Sequence, residues 1–303
     1  MRKEYIEQAR LMVRLLPFVT AEECFALKGG SALNFFIWDM PRLSVDIDLT
    51  YLPIELRDTS LLKISEALLR IEKAITTAFP NFNVHRVKNN DLILKLVVRA
   101  PYTEVKIEPN TVIRGTVFGT EMCDLSEKAR KILEVAAHAR VLAKPELFGG
   151  KICAALDRQH PRDLFDVKLL LEGLGLTDEI RKGFLLHLIS HDRPMHEVIN
   201  PSRKDVSDTY KAEFAEMTEE TVPYDVLVET RERLILGLKN GLTNDEKRFL
   251  LSLKEGKPEW PLLGLNGVEQ LPAVQWKLRN IRKMSVEKQR DQYGKLRAVL
   301  GIE

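Results

Sequence analysis

The sequence predicts an α/β (α+β) half followed by an all-helical half, and three observations carry that prediction. From Met1 to about Ala100 the apolar spacing switches repeatedly between a helical and a strand period. After about residue 140 only the helical period remains. Gly, Pro and Asn punctuation separates the segments throughout. The boundary therefore falls near residue 140, giving an α/β domain over 1–140 and a helical domain over 141–303.

Taken in order, residues 2–16 repeat apolar positions at helical spacing and are expected to stop at Pro17. A short apolar run from Phe25 to Leu27 ends in Gly29-Gly30, after which Ser31 is placed to cap a helix reaching Ile37. Val45 to Tyr51 alternates as VDIDLTY, a strand with its carboxylates on one face. Residues 60–79 form an amphipathic helix closed by Pro80. Strands follow at 83–88, 91–99 and 103–108, with Asn89-Asn90 supplying a tight turn. Helices are expected over 145–157, 162–173, 178–190, 202–216, 222–239, 243–253 and 268–299. There is no internal repeat and no low-complexity tract.

Composition narrows the class. The chain has 303 residues, 45% hydrophobic and 30% charged, with 46 Lys and Arg against 44 Asp and Glu. That is globular composition, and a charge so near balance does not decide for or against nucleic acid, so any basic surface must be local. The three cysteines Cys24, Cys123 and Cys153 show no CxxC or Cys/His spacing, which argues against a disulfide framework and a zinc site. The N-terminus reads as an amphipathic helix rather than a signal peptide, and no apolar run is long enough to span a bilayer. These features point to a cytoplasmic protein with no membrane attachment.

The sharpest feature is KGGSALNFFIWDMPRLSVDIDL, Lys28 to Leu49. Gly29 and Gly30 permit close backbone approach, and Ser31 with the following amides sits at a helix N-terminus that suits a phosphate. Downstream, Asp46 and Asp48 share a strand face. Two carboxylates that close favour a divalent cation, and Mg²⁺ favours carboxylates together with substrate phosphates. The plain structural reading is an exposed edge strand. The strand TEVKIEPN offers Glu108 as a third ligand, on one face with Lys106, while Val105 and Ile107 face the core; a solvated carboxylate row is its plain reading.

A third patch, ELFGGKICAALDRQHPRDLFDVKLLLE, covers residues 146–172. Lys151, Ala155 and Arg158 fall on one helical face, and Pro161 opens the next helix, where Asp163 and Asp166 are neighbours. One reading places Lys151 on triphosphate oxygens and an aspartate near the attacking hydroxyl. The other is an interhelical ion network of Lys151, Arg158, Arg162, Asp163 and Asp166.

In this order, GGSAL…RLSVDIDL, the VKIE strand and K-x-x-x-A-x-x-x-R…RDLFD resemble the AbiEii/AbiGii nucleotidyltransferase toxins, which include the MenT group of toxin–antitoxin systems. The resemblance covers most of the chain and extends to the tail LTNDEKRFLLSLKEGKPEW…LPAVQWKLRNIRKM. It departs from polymerase-β nucleotidyltransferases in general by a slightly long gap between Ser31 and Asp46. It implies a polymerase-β-like nucleotidyltransferase domain followed by an all-helical domain, and a toxin that transfers a nucleotide from an NTP with Mg²⁺. The implied acceptor is the tRNA 3′ end, and the implied partner a cognate antitoxin protein. Carried over, Ser31 and Ser44 contact phosphates, Asp46 and Asp48 hold Mg²⁺, and Lys151 contacts the NTP. The late aspartate falls on Asp163 or Asp166, and Arg42 is a basic residue within reach of the triphosphate.

Between Trp276 and Ala298 eight Lys and Arg stand against two acids, a local charge of +6 that attracts RNA phosphates or simply solvates an amphipathic helix. Trp276 is expected in the core of that helix, with stacking on an unpaired base as its other reading. The pair His187 and His191 has helical spacing but no HExxH glutamate, and GGSAL lacks a G-x-S-x-G elbow, so hydrolysis is a poor reading. The competing classes are a catalytically weak nucleotidyltransferase fold that binds RNA or the antitoxin, an enzyme that nucleotidylates a protein, and housekeeping tRNA end repair.

Overall fold

A computed structural model of the chain describes residues 3–218 and 221–302, and shows two compact units. The first comprises 1–143 with 213–221, the second 144–212 with 222–303. In the first unit, α1 (Lys3–Thr20) leads through β1 (Phe25–Lys28) into the short α2 (Gly29–Ala32), which widens into one π-helical turn, Leu33–Ile37. Then come β2 (Ile47–Tyr51), α3 (Arg57–Ala78), β3 (Asn83–Asn89), β4 (Leu92–Ala100), β5 (Thr103–Asn110), β6 (Thr120–Asp124), α4 (Glu127–Leu133) and β7 (His138–Leu142). The strands form one sheet in the order β3-β4-β5-β2-β1-β7-β6. β2 runs parallel to β5 and antiparallel to β1, which is in turn parallel to β7. α1 packs over β5 and β7, α3 over β4, and the two helices touch. Alternation drives this: Val105, Ile107 and Pro109 of β5 are buried, as are Ile47, Leu49 and Tyr51 of β2.

Several expectations are corrected here. α1 runs through Pro17 to Thr20, because Leu15, Leu16 and Val19 are buried and their packing outweighs one missing backbone donor. The expected first residue of that helix, Arg2, lies outside the described residues. Ser31 does not cap a helix: α2 starts at Gly29, with Lys28 at the cap position. The strand expected from Val45 begins at Ile47. The hairpin turn falls at Asn90 and Asp91, with φ of 46° and 64°. β6, α4 and β7 are additions to the elements that the apolar spacing predicts.

The second unit is helical: α5 (Lys144–Arg158), α6 (Pro161–Glu172), α7 (Asp178–Ser190), α8 (Met195–Ile199), α9 (Ser207–Glu213), α10 (Tyr224–Gly241), α11 (Asn244–Lys254), α12 (Pro272–Arg282) and α13 (Val286–Leu300). α8 has no counterpart among the expected helices. The single helix expected over 268–299 is two, because the Ser285 hydroxyl accepts the Lys288 N–H and starts a new helix. Trp276 is not in the core; it is 56% exposed. α11 carries a complete capping box between Thr243 and Glu246, and Glu246 also receives buried Arg181 at 2.8 Å. No helix among the described residues is long and apolar enough to cross a membrane.

α5 and α7 approach so closely that a Cβ on Gly149 would lie 2.2 Å from the Gly183 carbonyl carbon, and one on Gly183 would lie 1.9 Å from the Pro145 carbonyl oxygen. Backbone cannot yield as a side-chain tip does. Gly183→Ala is expected to destabilise the protein by at least about 2–3 kcal/mol in urea unfolding. Gly294→Ala, in open space on α13, is expected to stabilise it by about 0.5–1 kcal/mol.

Candidate active site

The site in the first unit is built where β1 hands over to α2 beside β2. Gly29 adopts φ +72°, a conformation that costs an L side chain about 1–2 kcal/mol. Space forbids a side chain as well. A Cβ on Gly29 would stand 2.6 Å from Asp48 Oδ2, and one on Gly30 would stand 2.7 Å from Arg42 Nη2 and 2.9 Å from Ser44 Oγ. The two glycines thus lay bare backbone against a carboxylate, a guanidinium and a hydroxyl.

Ser31 ties this turn to the acidic strand. Its hydroxyl donates to the Asp46 carbonyl at 2.5 Å and stands 3.0 Å from Ser44 Oγ. Its one proton goes to that carbonyl, so in the hydroxyl pair Ser44 donates and Ser31 accepts. Buried Asn34 braces the other side, donating to the Gly30 carbonyl at 2.9 Å. Arg42 is buried, with Nη1 donating to the Leu43 carbonyl at 2.9 Å. The returning residues Met217 and Thr218 meet this stretch: Arg42 pairs with Thr218 in a β-bridge, and the Leu43 N–H donates to the Met217 carbonyl.

Register sets the carboxylates. Val45, Ile47 and Leu49 are buried while Asp46 and Asp48 alternate with them on the less buried face. Asp48 stands directly opposite Lys28 on β1 and directly opposite Glu108 on β5. Opposed residues project to one face on strands about 4.8 Å apart, so the three form a cross-strand row. Glu108 is engaged within it: its Oε2 meets Lys95 Nζ of β4 at 2.6 Å. Among the described residues no three of His, Cys, Asp and Glu converge into a ready metal cage. Mg²⁺ usually takes one or two carboxylates and completes its shell with water and substrate phosphates. Asp46 and Asp48, hard oxygen donors beside a turn that leaves no room for a methyl group, fit that pattern without a third ligand.

The second unit holds the other expected residues. Lys151 Nζ, buried, meets Asp163 Oδ1 at 2.9 Å and Asp166 Oδ2 at 2.8 Å, and Arg158 reaches Asp163 Oδ2 at 2.8 Å. Lys151, Arg158, Asp163 and Asp166 of the interhelical ion network given as one reading of this patch are therefore joined. Its geometry depends on the α5–α6 turn. Gln159 ends α5 at φ +56° and is fully buried. Its amide donates to the Ser202 carbonyl and accepts from the Lys204 N–H and from Arg231 Nη1. His160 then caps α6 by accepting the Arg162 N–H, with Pro161 in the first turn.

Sequence reasoning misses Lys28, Lys95, Asn34 and Gln159. Lys28 and Lys95 carry a weak signal, as cations on the strands that flank the acidic positions; Gln159 carries none. The histidine pair is not a helical metal site, since His191 lies past the end of α7 and its Nδ1 accepts the Arg193 N–H. All three cysteines are free thiols.

The comparisons with known proteins bear on the family and the fold. No protein curated for its function matches the sequence. Among solved structures, the nucleotidyltransferase toxin MenT4 from Mycobacterium tuberculosis H37Rv is similar to this chain in fold, with a TM-score of 0.62 at 16% identity. The match covers 92% of this chain and 95% of that one. The family model for the nucleotidyl transferase AbiEii toxin of type IV toxin–antitoxin systems matches residues 10–280. The glycine turn, its serine and the alternating aspartates thus stand in the chain of a nucleotidyltransferase toxin: this protein belongs to the AbiEii family.

Proposed function

We propose that this toxin is an Mg²⁺-dependent enzyme that transfers a nucleoside monophosphate from an NTP to the 3′ end of tRNA and thereby blocks translation in the cytoplasm. The observation that carries the reading is the cradle of Gly29 and Gly30 against Asp48, Arg42 and Ser44. Backbone amides, a guanidinium and a hydroxyl are phosphate donors, and carboxylates beside them hold the cation that phosphates bring. Asp46 and Asp48 are the residues that would hold Mg²⁺, which supplies charge neutralisation on the transferred phosphoryl group. Gly30 lets the backbone approach the triphosphate, Ser44 and Arg42 bind its oxygens, and Ser31 positions Asp46. Glu108 joins them by exchanging Lys95 for the cation. In the second unit, Lys151 with Asp163 or Asp166 is the candidate for NTP contact that the resemblance implies, acting as one electrostatic unit. The family's type IV toxin–antitoxin setting supplies the partner, a cognate antitoxin protein.

Incubating total tRNA with each radiolabelled NTP and Mg²⁺, then sequencing the 3′ ends, tests the reading. Added nucleotides with loss of aminoacylation are expected. Label entering protein and never RNA, or regained aminoacylation, would reject the tRNA reading. Asp46→Asn and Asp48→Asn are each expected to lower transfer by at least about 100-fold, and Asp48→Asn to abolish growth arrest on expression without antitoxin. Neither should lower the melting temperature, because each relieves carboxylate repulsion in the apo protein.

Gly30→Ala separates cradle from scaffold. The methyl group meets only the tips of two side chains, so we expect less than about 2 kcal/mol of destabilisation but a KM for NTP raised by about 10-fold.

Lys151→Met should cost about 3–5 kcal/mol in denaturant unfolding, because it removes the buried cation 2.8 Å from the Asp166 carboxylate. Adding Asp166→Asn should recover much of that loss. If the recovered double variant transfers with wild-type kcat and KM, Lys151 is structural alone.

A further inference from the structure

Trp276 and Lys277 are adjacent on α12, and their environments are inverted. The indole is 56% exposed, whereas the lysine ammonium is turned inward and donates to the carbonyls of His191 and Arg193. Both acceptors are neutral, and burial brings the Lys277 ammonium down to about 8. An exposed apolar ring and an inward-turned ammonium are each the costly choice for their side chain. Ala273, Val274, Leu278 and Ile281, all buried, together with the Lys277 anchor, hold α12 in this rotation. Local choices that run against burial in this way concentrate at functional surfaces.

The face so presented has one kind of charge. Trp276, Arg279 and Lys283 recur at helical spacing, rising about 4.5 and 10.5 Å along the axis from the indole. Gln275 and Asn280 flank them, and the helix carries no acidic residue. Arg279 and Lys283 are exposed and make no side-chain ion pair or hydrogen bond among the described residues. Elsewhere exposed cations are commonly matched with an acid, as in Arg70 with Glu22, Arg86 with Glu72, and Lys295 with Asp291. A docking site for an apolar protein surface needs a contiguous apolar patch. The neighbours of Trp276 on this face are amides and cations.

We infer that the exposed face of α12 is a binding platform for single-stranded RNA, with an unpaired base stacked on Trp276 and the adjoining phosphates on Arg279 and Lys283. A π face that accepts any base, next to unpaired cations, is how single strands are held without sequence readout. α13 is not part of the stacking surface. Its shallow groove sets Glu287 and Asp291 against Arg290 and Lys295, with Lys295 paired to Asp291, so it offers a phosphate chain no net charge. This inference deepens the RNA-acceptor reading and rests on it for its biological sense, though its test does not require transfer.

The test is fluorescence anisotropy with the full chain and a labelled single-stranded oligoribonucleotide of about 12 nucleotides, in EDTA and without NTP. Trp276→Ala should weaken binding by about 5- to 150-fold with an unchanged melting temperature, and Trp276→Phe should keep most of the affinity. The pair Arg279→Ala and Lys283→Ala should flatten the logarithmic salt slope by about 1.4. Wild-type affinity in Trp276→Ala, equal affinity for a duplex of the same length, or no binding by the wild type overturns the platform. So does displacement by polyglutamate at the charge concentration at which RNA displaces, which would mark a surface for an acidic protein. A chain that binds through Trp276 yet labels no tRNA keeps the platform and loses the acceptor reading. A Trp276→Ala variant that labels tRNA with wild-type KM loses only the platform.

Discussion

β2 is paired on both edges, and that constraint orders the first unit. A strand hydrogen-bonded to β1 on one side and β5 on the other cannot slide without breaking two ladders, and a one-residue slip would turn every side chain to the wrong face. Asp48 is therefore pinned between Lys28 and Glu108. The glycine turn follows from the same pairing: β1 ends at Lys28, so the chain must leave the sheet at Gly29, directly against the Asp48 carboxylate. A side chain at that point would push the turn and the acid apart. The positive φ, the absent Cβ and the hydroxyl bond from Ser31 to Asp46 are three consequences of one register.

Charge is balanced differently in the two units. In the first, the row of Lys28, Asp48, Glu108 and Lys95 sets two adjacent carboxylates between two cations on neighbouring strands, with Glu108 half-exposed, so water screens it and exchange of partners is inexpensive. In the second, Lys151 and Asp166 are removed from solvent, where breaking a pair costs far more than the pair contributes against an apolar alternative. The first arrangement can admit a cation and an anion by rearranging. The second is stiff, fixed by Gln159 at an unusual backbone angle with its side-chain amide engaged on both atoms.

The tail shows why a charge count is a poor map of a surface. Of the eight basic residues counted there, Lys277 is anchored on backbone carbonyls, Arg282 donates to the Gly256 carbonyl and Lys295 is paired with Asp291. What remains is narrower and more specific: cations facing water beside an indole that the packing of the helix leaves exposed.

The sequence by itself determined the α/β and helical halves and the strand periodicity that places Asp46 and Asp48 together, because these rest on local spacing, and its motifs carried the resemblance to the family. It also offered the Lys151 network as one reading, since i, i+3 neighbours and a proline-started helix are local facts. Tertiary structure decided the rest. α1 passes Pro17 because its buried face, formed by distant strands, outweighs one missing donor. Ser31 braces Asp46 instead of capping a helix because the sheet brings a carbonyl to it that no nearby sequence announces. β6 and β7 form at one edge of the sheet, short and partly exposed, so their apolar pattern is weak. Trp276 faces solvent because helix rotation is set by the sum of contacts along a helix, and no single residue's hydrophobicity fixes it.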